Sequence, residues 1–195
     1  MRQLFTLYKY ENQLFTLSMT GQNVKDYLEF GFTNQFSTMS SANDHLLAFK
    51  KDENGKIITN AYGPQFATPT FNYTCAAGIR YTVDVSKPAG QRVSILSMSD
   101  GSEFSLDKTY SVAINSYQAS GGGDFIPKGL GWDDATLQSH IINASPKDVR
   151  RYIADYIQQI KTITPRLRGD WQVIPTDWWK KGIETDKKFT NPNQR

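Results

Sequence analysis

Between Ser116 and Phe125 the chain reads Ser-Tyr-Gln-Ala-Ser-Gly-Gly-Gly-Asp-Phe. Gly121, Gly122 and Gly123 carry no Cβ, so the backbone here can take positive φ and come close to another group. Asp124 adds a carboxylate, Phe125 adds a large ring, and Pro127 stops the chain from resuming a strand. Such a loop could clamp a flat ligand against its ring. It could equally be a connection whose Phe125 drops into the core, since most loops simply connect.

Hydrolytic metal chemistry has little to draw on. A dinuclear centre takes several histidines and carboxylates from converging loops, whereas His45 and His140 are the only histidines and form no HExxH or DxH pattern. No metal is therefore expected in this chain, and both histidines read as surface or packing residues. The glycine loop also lacks the Lys-Ser/Thr that makes a phosphate-cradling P-loop. Cys75 is the only cysteine, which excludes an internal disulfide and a thiolate metal site; it reads as a small buried residue. A net charge of +3 with dispersed Lys and Arg is no nucleic-acid footprint. No apolar run approaches the roughly 20 residues of a membrane span. Met1 to Leu7 shows no signal peptide, leaving either a cytosolic protein or a signal borne by a longer precursor.

The elements that must position the loop follow from periodicity. Tyr110–Asn115 alternates apolar and polar residues and feeds the loop as a strand. Leu4–Leu7 reads as a strand or extended lead-in, residues 8–12 as a turn with Asn12 suited to it, and Leu14–Met19 as a strand. Thr20 is the expected cap of a helix with Val24, Tyr27, Leu28 and Phe32 on one face and Gly31 at its end. Residues 34–43 are a loop. Ile79–Val85 and Arg92–Met98 are strands around a Lys-Pro-Ala-Gly turn, with Arg80 and Arg92 expected to pair across that hairpin. A short helix is expected from Asp133 or Asp134 to Ile141. Ser145-Pro146-Lys147-Asp148 signals another, capped by Ser145, with Val149, Ile153, Tyr156, Ile157 and Ile160 on its apolar stripe. Three of the four tryptophans lie in the tail, which should dock on the domain and turn polar and frayed from Lys181. Strands clustered in the middle with helices at both ends predict an α+β fold.

In order, the chain shows Tyr-x-Tyr-x-Asn-x-Leu, a strand, and Thr-Gly with an amphipathic helix ending Tyr-Leu-Glu. Then come Ala-Gly-Ile-Arg-Tyr-Thr-Val-Asp, Lys-Pro-x-Gly-x-Arg-Val, Asp-Gly, Tyr-x-Val-Ala-x-Asn-x-Tyr and the glycine loop. This succession, over residues 4–163, resembles the C-terminal domain of the 5'-nucleotidase family. It is most similar to the bacterial branch that hydrolyses 2',3'-cyclic nucleotides.

The resemblance implies an α+β fold of about four layers, with mixed or antiparallel strands layered with helices. It implies a substrate-binding domain over residues 1–165 and a Trp-rich extension over 166–195. An N-terminal metallophosphoesterase domain, absent from this chain, would hold two divalent metals and perform hydrolysis, in a periplasmic or cell-surface enzyme. This chain, expected as a monomer, would bind the nucleoside or nucleotide and hydrolyse nothing alone. By the same resemblance Tyr10 and Phe125 sandwich the base, with Asn12, Gly121, Gly122, Gly123 and Asp124 in support. Tyr8 and Tyr117 are the alternative rings, since residues two apart on a strand share a face. The loop departs from the classical Gly-Gly-Asp-Gly-Phe, and among later acids only Asp133 and Asp134 could replace the family's acid. The other readings are a stand-alone nucleotide-binding module and a partner-docking domain without catalysis.

Overall fold

The computed structural model describes residues 2–190. The chain begins with helix α1 (Arg2–Leu7), strand β1 (Gln13–Thr20) and helix α2 (Gly21–Gln35). A short hairpin, β2 (Thr59–Asn60) and β3 (Gly63–Pro64), precedes strands β4 (Ile79–Asp84), β5 (Val93–Met98) and β6 (Thr109–Asn115). Next are α3 (Ser116–Ala119), α4 (Asp134–His140), β7 (Ile141–Asp148), α5 (Val149–Ile160), β8 (Trp171–Ile174) and α6 (Thr176–Thr190). The fold is α+β, and it divides into two compact units: Met1–Asn23 with Leu106–Arg168, and Val24–Ser105 with Gly169–Arg195.

In the first unit β1 is the middle strand of an antiparallel sheet ordered β6-β1-β7. Leu14 to Thr20 pair in unbroken register with Asn115 to Thr109, whereas the β7 side is interrupted by bulges. Leu17 and Met19 are buried, as alternation along β1 requires. Thr20 and Asn23 cap the following helix reciprocally. The Asn23 N–H donates to the Thr20 hydroxyl (3.1 Å), and Asn23 Oδ1 accepts from the Thr20 N–H (3.1 Å). Asp133 caps α4 by accepting from the Thr136 N–H at 2.8 Å. Two expectations in this unit need correction. Residues 2–7 are helical, because a short apolar run fits strand and helix equally. α5 begins after Asp148, whose side chain accepts from the Arg151 N–H. Ser145 is held in β7 instead, bonded to Lys147 and to the Tyr152 hydroxyl (2.7 Å). His140, read as a surface or packing residue, packs: it stacks on Trp132 with centroids 4.1 Å apart.

The second unit holds a mixed sheet ordered β5-β4-β8, antiparallel between β4 and β5 and parallel between β4 and β8. Ile79, Tyr81 and Val83 point inward from β4 while Arg80 points out. Phe32 of α2 and Phe36, the residue just after that helix, stack at 5.7 Å, and Trp171 lies against both Phe32 (5.2 Å) and Tyr81 (5.8 Å). Here too the structure departs from the pattern. α2 runs past Gly31 to Gln35 because its buried face continues through Phe32. Arg92 does not pair across the hairpin. It is buried and donates to the carbonyls of Phe32 (3.3 Å) and Phe36 (2.7 Å), which ends α2 with a cation as the helix dipole favours. Burial lowers its pKa, opposed by Glu29, whose carboxylate accepts from the Val93 N–H. Cys75 is exposed. Residues 171–190 supply a strand and a helix to this unit: Asp186 of α6 is buried, contacts His45 Nδ1 at 2.7 Å and accepts from the Leu47 N–H at 2.8 Å. The chain, expected to fray from Lys181, is instead helical through Thr190, because the face of α6 carrying Asp186 is buried; residues 191–195 lie outside the described residues.

Candidate functional site

The predicted site residues all fall in the first unit. β6 delivers the glycine loop through Asn115, whose side chain caps α3 by accepting from the Gln118 N–H at 2.8 Å. After α3, Gly121 (φ 87°), Gly123 (φ 72°) and Asp124 (φ 63°) all have left-handed backbone. Two glycines accept this freely and Asp tolerates it better than most side chains. Gly122 is constrained by space instead. A Cβ there would lie 2.5 Å from both the ring and the carbonyl oxygen of Tyr117. The glycine run is thus what lets Tyr117 fold back over its own loop.

The two rings of this stretch end in different environments. Phe125 is 2% exposed, among the most buried side chains of the protein, while Tyr117 is 38% exposed. Asp124 pairs with Lys128 at 2.9 Å on the surface. Tyr10 is half exposed, with the Lys9 ammonium 5.8 Å from its ring centroid.

Hydrogen bonds over a sequence gap of about a hundred residues join the Tyr10 segment to the loop. The Gln13 N–H donates to Ser116 Oγ (3.0 Å), and the Ser116 hydroxyl donates to Asn12 Oδ1 (3.4 Å). Asn12 is buried, its Nδ2 donates to the Tyr8 hydroxyl (3.2 Å), and its carbonyl accepts from the Val149 N–H (2.8 Å). Tyr10 and Tyr117 flank this junction, two residues from Asn12 and one from Ser116. Consecutive Cα atoms are about 3.8 Å apart, so the Tyr10 backbone lies within about 7 Å of Asn12 and that of Tyr117 about 3.8 Å from Ser116. Ser116 was not singled out from the sequence. Its signal was only its place between the capping Asn115 and Tyr117.

Among the described residues no group of three or more His, Cys, Asp and Glu side chains is placed to hold a metal ion. The two divalent metals that the resemblance implies do not fit this chain's residues. No described helix is long and apolar enough to cross a membrane.

The profile of the 5'-nucleotidase C-terminal domain matches residues 1–128. The chain belongs to that family. It is 29% identical over 182 residues to the trifunctional nucleotide phosphoesterase protein YfkN of Bacillus subtilis, covering 87% of this chain and 11% of that protein. It is 27% identical over 192 residues to the 2',3'-cyclic-nucleotide 2'-phosphodiesterase/3'-nucleotidase of Salmonella typhimurium, covering 89% and 26%. The fold is similar to that of a 5'-nucleotidase precursor from Thermus thermophilus (TM-score 0.59, 20% identity, 89% of this chain and 27% of that one). The chain thus spans about a quarter or less of the curated relatives named here.

Proposed function

We propose that this chain is the nucleoside-binding part of a metal-dependent nucleotide phosphohydrolase, with the metal centre on a separate catalytic domain. The observation that carries the reading is the Ser116 bridge, which tethers the half-exposed Tyr10 and Tyr117 to one junction in a domain of this family. Every base has a π face, so aromatic stacking tolerates purines and pyrimidines alike, at about 1–3 kcal/mol per base. Tyr10 supplies one face. Tyr117, the exposed ring of the loop, is read as the opposing face; the buried Phe125 would take that place only with its ring turned outward. Asn12 holds the first segment, the three glycines shape the loop, and Asp124 lies beside the ligand. Nucleotide phosphoesters of the kinds named for the relatives are the substrate class, and a periplasmic or cell-surface location accompanies the reading.

Titrating adenosine against the intrinsic fluorescence of the 195-residue chain tests it. Saturable binding that Tyr10→Ala and Tyr117→Ala each weaken supports the site. Binding unaffected by Tyr10→Ala overturns it. Hydrolysis of a cyclic nucleotide by the pure chain with Mn²⁺ or Zn²⁺ would overturn the separation of binding from chemistry.

A further inference from the structure

A cleft of about 320 Å³ in the first unit is lined by Leu4, Phe5, Glu11, Asp148, Arg150 and Arg151. At its centre the Arg150 guanidinium lies 4.4 Å from the centroid of the Phe5 ring, 3.6 Å from Glu11 and 3.7 Å from Asp148. The Arg150 side chain is only 12% exposed although Glu11 is 81% exposed. Arg151 is occupied separately, by Asp155 at 3.1 Å. Arg150 therefore joins three segments: α1 through a cation–π contact, the start of α5 through Asp148, and the residue between Tyr10 and Asn12 through Glu11. An ammonium could do this only in part, because the planar guanidinium can lie flat on a ring and still aim N–H groups at two carboxylates.

We propose that Arg150 is a positioning residue for the Tyr10 ring, acting through Glu11. Two ties fix the Tyr10 segment to the first turn of α5. One is the backbone bond from the Val149 N–H to the Asn12 carbonyl (2.8 Å), and the other is the Arg150–Glu11 pair. They act on adjacent residues, so Glu11 and Asn12 are both held while Tyr10, next in the chain, presents its ring. Withdrawing the guanidinium from water strengthens its attraction for Glu11 relative to a fully solvated pair, and salt weakens it. This proposal rests on the nucleoside-binding reading of the site but is tested partly without a ligand.

The test compares the 195-residue chain with Arg150→Gln, Arg150→Lys, Glu11→Gln and the Arg150→Gln/Glu11→Gln pair. Amide hydrogen exchange at Gln13 and Val149, whose N–H groups are bonded to Ser116 Oγ and to the Asn12 carbonyl, is expected to quicken about 3–10-fold in each neutral variant, with the double variant no faster than the quicker single one, as coupled residues require. Arg150→Lys should recover part of the protection. Adenosine affinity should fall about 3-fold or more in Arg150→Gln by the same coupling. Raising salt should weaken adenosine binding to the unsubstituted chain and leave Arg150→Gln unchanged; since adenosine is uncharged, that dependence reports the clamp and not the ligand. Unchanged exchange, or additive effects in the double variant, overturns the proposal. If exchange responds as stated and adenosine binds none of the proteins, the clamp stands and the nucleoside reading falls.

Discussion

The two units spend their aromatic residues differently. In the second, Phe32, Phe36, Phe49 and Tyr81 are buried, and Tyr62 and Phe71, both outside its strands, are exposed. In the first, Phe5, Tyr10, Tyr117, Tyr152 and Tyr156 all reach solvent, while Phe125 and Trp132 are buried. A ring buried among neighbours stabilises through packing, and truncating it leaves a cavity. A ring half in water contributes less to folding and is available to a ligand. The contrast separates residues that hold the fold from residues that could recognise something, and substitution can test that division.

The largest expected effect is in the second unit. Phe32→Ala removes a fully buried ring stacked on Phe36 and packed at a tilt against Trp171, and should cost about 3–5 kcal/mol of stability, read by denaturant unfolding. A loss under about 1 kcal/mol would mean that this core is loosely packed. Arg92→Met comes next. It takes the donors from the Phe32 and Phe36 carbonyls and leaves Glu29 as an uncompensated buried charge, which should cost about 3 kcal/mol. Adding Glu29→Gln should recover part of that loss. An equal or larger loss in the double variant would show that the unmet carbonyls, and not the charge, dominate.

In the first unit the comparison sharpens to one loop. Tyr117→Ala should lower adenosine affinity by about 1–3 kcal/mol while moving stability little, because a half-exposed ring leaves only a small cavity. Phe125→Ala should do the reverse, at about 3–5 kcal/mol of stability. If Phe125→Ala instead spares the fold and abolishes binding, the loop turns its ring outward and Phe125 is the second face of the sandwich.

Much of this was readable before the structure. The strands from Ile79, Val93 and Thr109 alternate cleanly, because one face of each meets a core and the other does not. Thr20 and Asp133 also carry their capping chemistry openly. What escaped depends on distant partners. α6 hides its buried face behind Lys180-Lys181 and Lys187-Lys188, although Trp178, Trp179, Ile183, Asp186 and Phe189 repeat at helical spacing. The carboxylate of Asp186 is inside only because His45 and the Leu47 amide receive it. Ser145 resembles a cap until β1 pairs with β7 through Ala144 and Asp148. For the candidate site, the tyrosines, the glycines and Asn12 were legible as residue types. The Ser116 bridge and the opposite exposures of Tyr117 and Phe125 were not, since both are set by contacts over a hundred residues apart or by a loop folding on itself.

The smallest effect concerns a loop of the second unit and involves no ring. Asp44 accepts from the N–H and hydroxyl of Ser40 (2.7 and 2.8 Å) and from the N–H of Ser41 (3.0 Å). These bonds favour the carboxylate, led by the Ser40 N–H, and lower its pKa from 3.8 to about 2. The unfolded chain therefore takes up this proton at higher pH than the folded one. Asp44 contributes stability above pH 4 that is lost as pH falls from about 4 to about 2. Asp44→Asn has no such proton to take up, so its stability should change less with pH across that window than that of the unsubstituted chain. Melting temperatures measured at pH 5, 4, 3 and 2 check this. Parallel curves would mean that the Ser40–Ser41 amides do not hold the carboxylate, and adenosine affinity at neutral pH should be the same in both proteins, because nothing places this loop in the recognition machinery.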